Sequence, residues 1–277
     1  MSLRIGISPW ADTRAGMERV AEAAVEGGLG TFWLGDGLLG RSDFPVWSGG
    51  MEAFTELAWL AGRFPGCSVA LGAAVLPLRD PLWVAKEAAT LDQLTEGRFT
   101  LALAPGNWPG EFAVEGRDFA ARGATLEAGV RTLQEIWAPD APEVGPSPRP
   151  WTPGGPPLWL AGAHPTMRRA IRLGLPFQAS RVGPAGLAPI AAEWFQDGGK
   201  VLAVRVRMSL GAQACDGTDG VDPAAAIIGP PGYLAEQVDA YRRLGVSDLS
   251  VMPGQDVESS LRTIEAFAVH VLPALGP

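Results

Sequence analysis

The stretch SVALGAAVLPLRDP, residues 68–81, opens as a strand and stops at two prolines. Leu71, Ala73 and Val75 are apolar, and so are most residues between them, the pattern of a strand covered on both faces. Pro77 and Pro81 then end the pairing. A strand that finishes on small residues leaves room for something to lie against its backbone. Outward from this segment, apolar runs of the same kind recur at 3–8, 31–35, 99–104, 157–162, 176–180, 201–210 and 249–252. Helical periodicities fall between them. Met17, Val20, Ala24 and Gly28 form one stripe, and Phe119, Leu126, Val130, Leu133 and Trp137 a second. Leu234, Val238 and Tyr241 form a third, and Leu261, Ile264, Ala268 and Val271 a fourth.

Eight strands, each followed by a helix, predict an α/β protein of the (β/α)8 TIM-barrel class, a single domain over 1–277. A doubly wound open sheet is the competing architecture. Its GxGxxG fingerprint is missing after the first strand, where the chain reads SPWADT. Two Pro/Gly-rich connections, 138–156 and 211–231, are long enough to act as lids or to be disordered, and the second has room for a short helical turn.

Composition narrows the function. The chain is 47% hydrophobic, enough for a large core, and carries a net charge of −8. That balance argues against a nucleic-acid partner and against an anionic membrane surface. No apolar run reaches the length of a membrane span. Cys67 and Cys215 sit in no CxxC pattern, which fits unpaired thiols in a reducing compartment. The opening MSLRIGISPW runs straight into a strand pattern, so a cytoplasmic protein is expected. With His164 and His270 the only histidines, a metal-dependent hydrolase is poorly supported and no metal is expected. Neither GxSxG nor GxxxxGKS occurs.

What remains is a set of strand ends rich in glycine, tryptophan and small residues: Ser8-Pro9-Trp10, Asp36-Gly37, Ala74-Val75, Pro105-Gly106-Asn107-Trp108 and Gly162-Ala163-His164. Such a lining suits a flat organic cofactor better than a highly charged substrate. GAHPTMRRA, 162–170, reads either as an anion site or as an ordinary helix start. In the first reading, amides from Thr166 onward and the Thr166 hydroxyl hold a phosphate. Glu111 and Arg122 read as a structural ion pair rather than a catalytic one. Arg205 and Arg207 alternate with valines and share one face of their strand. Either they enter the barrel mouth, where Arg207 meets an anionic tail or carboxylate, or they snorkel at the surface, and the second reading is favoured.

At 72–98, GAAVLPLRDPLWVAKEAATLDQLTEGR, the chain resembles the luciferase-like monooxygenase family of flavin- or deazaflavin-dependent (β/α)8 enzymes. The likeness continues through FTLALAPGNWPGEF, with Gly116, Phe119 and Arg122 at family spacing, to LEAGVRTLQEIW. It extends to PPLWLAGAHPTMRRAIRLG and IIGPPGYLAEQVDAYRRLGVSDLSV, while TFWLGD looks like the strand-two end. The resemblance implies a non-prolyl cis peptide at the end of strand three, expected at Ala74–Val75, with Ala73, Ala74 and Val75 against the cofactor ring. It implies ring contacts for Asn107 and Trp108 and a phosphate loop of Gly162, Ala163, His164, Thr166 and Met167, His164 serving either as a phosphate contact or as a cap. Asp36 and Asn107 are the catalytic candidates.

The activity so implied is monooxygenation of a small organic substrate by reduced FMN and O2, with a separate flavin reductase and a homodimeric assembly. Hydride transfer with coenzyme F420 is the alternative. Several F420 enzymes carry Glu where this chain has Asn107, and His where it has Gly37. A third alternative is a family member that binds flavin without turnover.

Overall fold

The computed structural model describes residues 3–40, 50–140, 147–217 and 226–276. Its strands are β1 (Arg4–Ile7), β2 (Thr31–Leu34), β3 (Ser68–Val75), β4 (Phe99–Ala104), β5 (Leu158–Ala161), β6 (Phe177–Ser180), β7 (Leu202–Leu210), β8 (Cys215–Asp216), β9 (Ile227–Gly229) and β10 (Val246–Met252). The helices that matter here are α1 (Arg14–Glu26), α2 (Ala53–Arg63), α3 (Pro81–Leu94), α4 (Pro109–Val114), α5 (Arg122–Trp137), α6 (His164–Leu173), α7 (Pro184–Gln196), α8 (Pro231–Arg243) and α9 (Val257–Ala266).

The strands run in the order β10-β1-β2-β3-β4-β5-β6-β7, and β10 pairs again with β7. The sheet therefore closes on itself as an eight-stranded parallel (β/α)8 barrel. All eight apolar runs read from the sequence are barrel strands. The last begins three residues early, at Val246, because Ser247 and Asp248 hide the strand pattern. Both are buried, and Asp248 meets Arg4 of β1 at 2.7 Å. Burial raises the Asp248 carboxyl above its ordinary range, against the pull of Ser247 and Arg4.

By packing, the chain falls into two compact units. The first comprises Leu34–Gly40 and Met51–Leu175. In it β4 lies between β3 and β5, with Leu71, Leu101 and Leu158 in register, and α5 packs on α3. Asp80 caps α3 by accepting the Leu82 N–H, and Pro81 occupies the first helical position. The second unit comprises Met1–Trp33, Arg41–Gly50 and Pro176–Pro277. Here β7 lies between β6 and β10, and β10 pairs with β1. Ile7, Val204, Val206, Leu249 and Val251 are fully buried, and α1 packs on α9.

The two long connections depart from expectation. Within 138–156, residues 141–146 lie outside the described residues. The part that follows is no free lid, because Thr152 donates its N–H to buried Asp92 of α3 at 2.7 Å, and Gln93 donates to Arg149 O. Within 211–231, residues 218–225 lie outside the described residues. A small strand pair flanks them, and among the described residues of 211–231 no helical turn precedes α8. β8 is antiparallel to β9, and β9 extends β7 through Met208↔Ile227.

Candidate active site

In the first unit, the end of β3 is built around Asp36. Arg79 grips that carboxylate with both arms, Nη2 to Oδ1 at 2.7 Å and Nε to Oδ2 at 3.0 Å. The same Oδ2 accepts the Val75 N–H at 3.0 Å, the last amide before the strand turns into the Leu76–Leu78 3-10 turn. Arg79 reaches on to Glu52 Oε1 at 2.9 Å and lies over the Phe54 ring. Glu52 also caps α2 through the Thr55 N–H and hydroxyl. Burial works to raise Glu52, but Thr55 and Arg79 outweigh it and hold the carboxyl below its ordinary value. Burial likewise opposes the Arg79 charge, and the two carboxylates overcome it, pushing the guanidinium up. Asp36 thus engages both oxygens in holding Arg79 and the strand end. Arg79 is the residue that sequence reasoning passed over. An arginine two residues past the strand-terminating Pro77, with a lone aspartate just past the neighbouring β2, was the available signal.

The non-prolyl cis bond is Gly72–Ala73, two residues before the expected Ala74–Val75. The pairing with β4 shifts register there, between Gly72 and Ala74. Ala73 and Val75 are half-buried while Ala74 is fully buried, so the two flanking side chains share one face and Ala74 points to the other. Beyond β4, Gly106 has φ +80, and a Cβ there would stand 2.8 Å from both Val75 and Phe112. Only glycine lets this loop lie so close to the β3 end. Asn107 next to it is exposed, and its amide makes no hydrogen bond among the described residues. Trp108 starts α4 and covers Gly110.

Glu111 and Arg122 do not pair. Glu111 is buried and accepts the Leu38 and Leu39 N–H groups at 2.8 and 3.2 Å, tying the segment after β2 to α4. Arg122 donates to Phe119 O and stacks 3.9 Å over the Phe119 ring, which meets Phe112 edge-on. Both have structural roles, with different partners from those expected.

β5 leads through Gly162, at φ +150, into α6. Ala163 stands at the N-cap and has no side chain able to cap. The Thr166 and Met167 amides are not open donors, since both close the first turn onto Ala163 O. Thr166 and Met167 are buried, whereas Ala163, His164 and Arg168 are exposed. An anion arriving here would meet Ala163, His164 and the positive end of an uncapped helix, with the Thr166 side chain behind Gly162 as support.

These features fit a flat ring with a phosphate tail. The β3 end is small, Asn107 is an exposed amide without a partner, and α6 presents an uncapped N-terminus. Comparison with known proteins gives the family and the fold. The family model for luciferase-like monooxygenases matches residues 4–197. The oxygenase component of flavin-dependent trigonelline monooxygenase from Acinetobacter baylyi is 25% identical over 160 residues, covering 54% of this chain and 43% of that protein. The chain spans less than half the length of the curated relatives it matches. Among solved structures, monooxygenase RslO1 from Streptomyces bottropensis superposes with TM-score 0.80 at 19% identity, over 99% of this chain and 100% of that one. An F420-dependent secondary alcohol dehydrogenase holding an F420-acetone adduct superposes with TM-score 0.81 at 16% identity over the full length of both chains. The two structural likenesses establish the fold, and the family match extends from β1 to the end of α7. The chain belongs to the luciferase-like monooxygenase family.

Proposed function

We propose that the chain is the oxygenase of a two-component flavin system acting on a small organic substrate. The observation that carries this reading is the pairing of a small-residue β3 end with an exposed, unpartnered amide at Asn107. Ala73, Ala74 and Val75 would seat the ring, Asn107 and Trp108 would meet its edge, and Gly162, Ala163 and His164 would receive the phosphate. Reduced FMN, when bound, supplies the activation of O2 and the transfer of one oxygen atom. The chain's own part is to hold and orient. Asn107 can donate and accept hydrogen bonds but cannot carry a proton. Asp36 keeps Val75 in place through its bond to the backbone amide and is a positioning residue rather than an acid or base. The name of the trigonelline relative, an oxygenase component, supports electron supply from a separate reductase. Homodimer formation belongs to the same proposal.

The test is a titration of the purified protein with FMN and, separately, with F420, followed by tryptophan fluorescence. Saturable quenching by FMN and none by F420 is expected. A preference for F420 would replace oxygenation with hydride transfer, and silence toward both would remove the proposed function.

A further inference from the structure

In the second unit, the sequence reading favoured Arg205 and Arg207 as surface residues, and the structure reverses this. Arg207 is 4% exposed and has partners of its own. Arg205 turns to the inner face of the sheet, in register with Ser180 of β6 and Ser250 of β10. Its Nη1 lies 3.3 Å from Ser250 Oγ and its Nη2 3.3 Å from Ser8 Oγ. Both distances are long for a guanidinium, and both partners are neutral. No carboxylate pairs with Arg205 among the described residues. The acidic residue nearest along β10, Asp248, is engaged with Arg4 and Ser247. Burial pushes the Arg205 guanidinium down to about 10, so it stays a cation at neutral pH.

A second unanswered group shares this face. Gln178 of β6 is in register with Ala203, two residues before Arg205, and is fully buried. Neither its amide oxygen nor its nitrogen finds a partner. Buried polar groups are normally satisfied, and an unsatisfied one calls for a specific reason. Here a cation held only by two long bonds to neutral hydroxyls and an amide with no partner share one face of adjacent strands. Gly6 and Ser8 alternate on the same face of the first strand and its end. The Trp33 indole fills the space over Gly6, where a Cβ would stand 2.5 Å from its Cδ1. The face therefore combines a guanidinium fork, two hydroxyls able to donate, an amide and an indole.

We propose that Arg205, Ser8 and Ser250 form a carboxylate subsite that holds the acid group of the substrate, making that substrate a small organic acid. One guanidinium flanked by neutral hydroxyls complements a single negative charge and presents two parallel N–H groups to a planar carboxylate. Gln178 supplies the next polar group along the wall, and Trp33 an apolar surface for the body of the acid. The word substrate rests on the oxygenase reading; the anion site does not.

The test uses acetate, propionate and benzoate, each against its neutral amide, titrated into the purified protein by tryptophan fluorescence. At least one acid is expected to bind tenfold or more tighter than its amide. Arg205→Met is expected to erase that preference, Arg205→Lys to retain a weakened form of it, and FMN affinity to stay within twofold in both. Equal binding of every acid and amide by the unmodified protein overturns the subsite whether or not the variants fold. Loss of FMN affinity in Arg205→Met, with riboflavin affinity unchanged, also overturns it by assigning the cation to the cofactor phosphate. A protein that prefers acids through Arg205 yet binds no FMN keeps the subsite and removes the oxygenase reading.

Discussion

The end of β3 and the inner face of β7 each carry a partly buried arginine, and the two arginines live differently. Arg79 is answered on all sides, by both oxygens of Asp36, by Glu52 and by the Phe54 ring. Arg205 is answered by two hydroxyls at 3.3 Å, with the orphaned Gln178 amide on the same face. The first arrangement fixes a backbone position and has no capacity left over. The second has hydrogen-bonding capacity and positive charge to spare. Partner saturation therefore tells apart two arginines more sharply than the sequence, which placed Arg205 at the surface.

The largest test of the contrast is Asp36→Asn. It breaks the two-armed pair with Arg79 and weakens the hold on Val75, and it should cost roughly 3–5 kcal/mol in chemical denaturation, as broken buried pairs do. A loss of activity with unchanged stability would show that Asp36 is catalytic after all.

Next come the carboxyls that burial raises beside this cluster, Glu56 and Glu87. Glu56 of α2 is 7% exposed, and burial, reinforced by nearby Glu52, pushes its carboxyl up to about 7. Because the folded value lies above the ordinary 4.5, the stability that protonated Glu56 contributes is complete below pH 4.5 and is lost as pH rises through about 7. Glu56→Gln should therefore stabilise the protein by up to about 3 kcal/mol at pH 8 and by almost nothing at pH 4. Thermal melts across that range read the difference directly.

Gly106→Ala sharpens the packing side of the comparison. The alanine would need φ near +80 and would press on Val75 and Phe112, so a loss of about 2 kcal/mol is expected in denaturant. Arg205→Met should do least. Replacing an unpaired buried cation by an apolar chain of similar length should change stability by less than about 1 kcal/mol, or raise it. A drop as large as that of Asp36→Asn would erase the distinction between the two regions.

Much of the fold was legible because parallel strands covered on both faces are apolar throughout, as in LALA at 101–104 and LWLA at 158–161. Where buried strand residues are polar, the strand pattern fades, and Ser247-Asp248 vanished from view for that reason. The small residues 72–75 pointed to the right strand end but not to the right peptide bond, since Gly72, Ala73 and Ala74 differ little in what they permit. Asn107 and Ala163 could be read from position along the motif. The partners of Asp36, Glu111 and Arg205 could not, because each comes from another strand or loop and leaves no periodic trace. Gln178 and Arg205, polar residues in the middle of buried strands, were the local signals available for the second site.

The most direct measurement is the reoxidation of reduced FMN by O2, followed by stopped-flow absorbance with and without the protein. The account predicts a protein-dependent phase with a spectrum and rate distinct from free flavin, and one that Asp36→Asn disturbs in proportion to its unfolding. Reoxidation indistinguishable from free FMN, from a folded protein in excess, would contradict it.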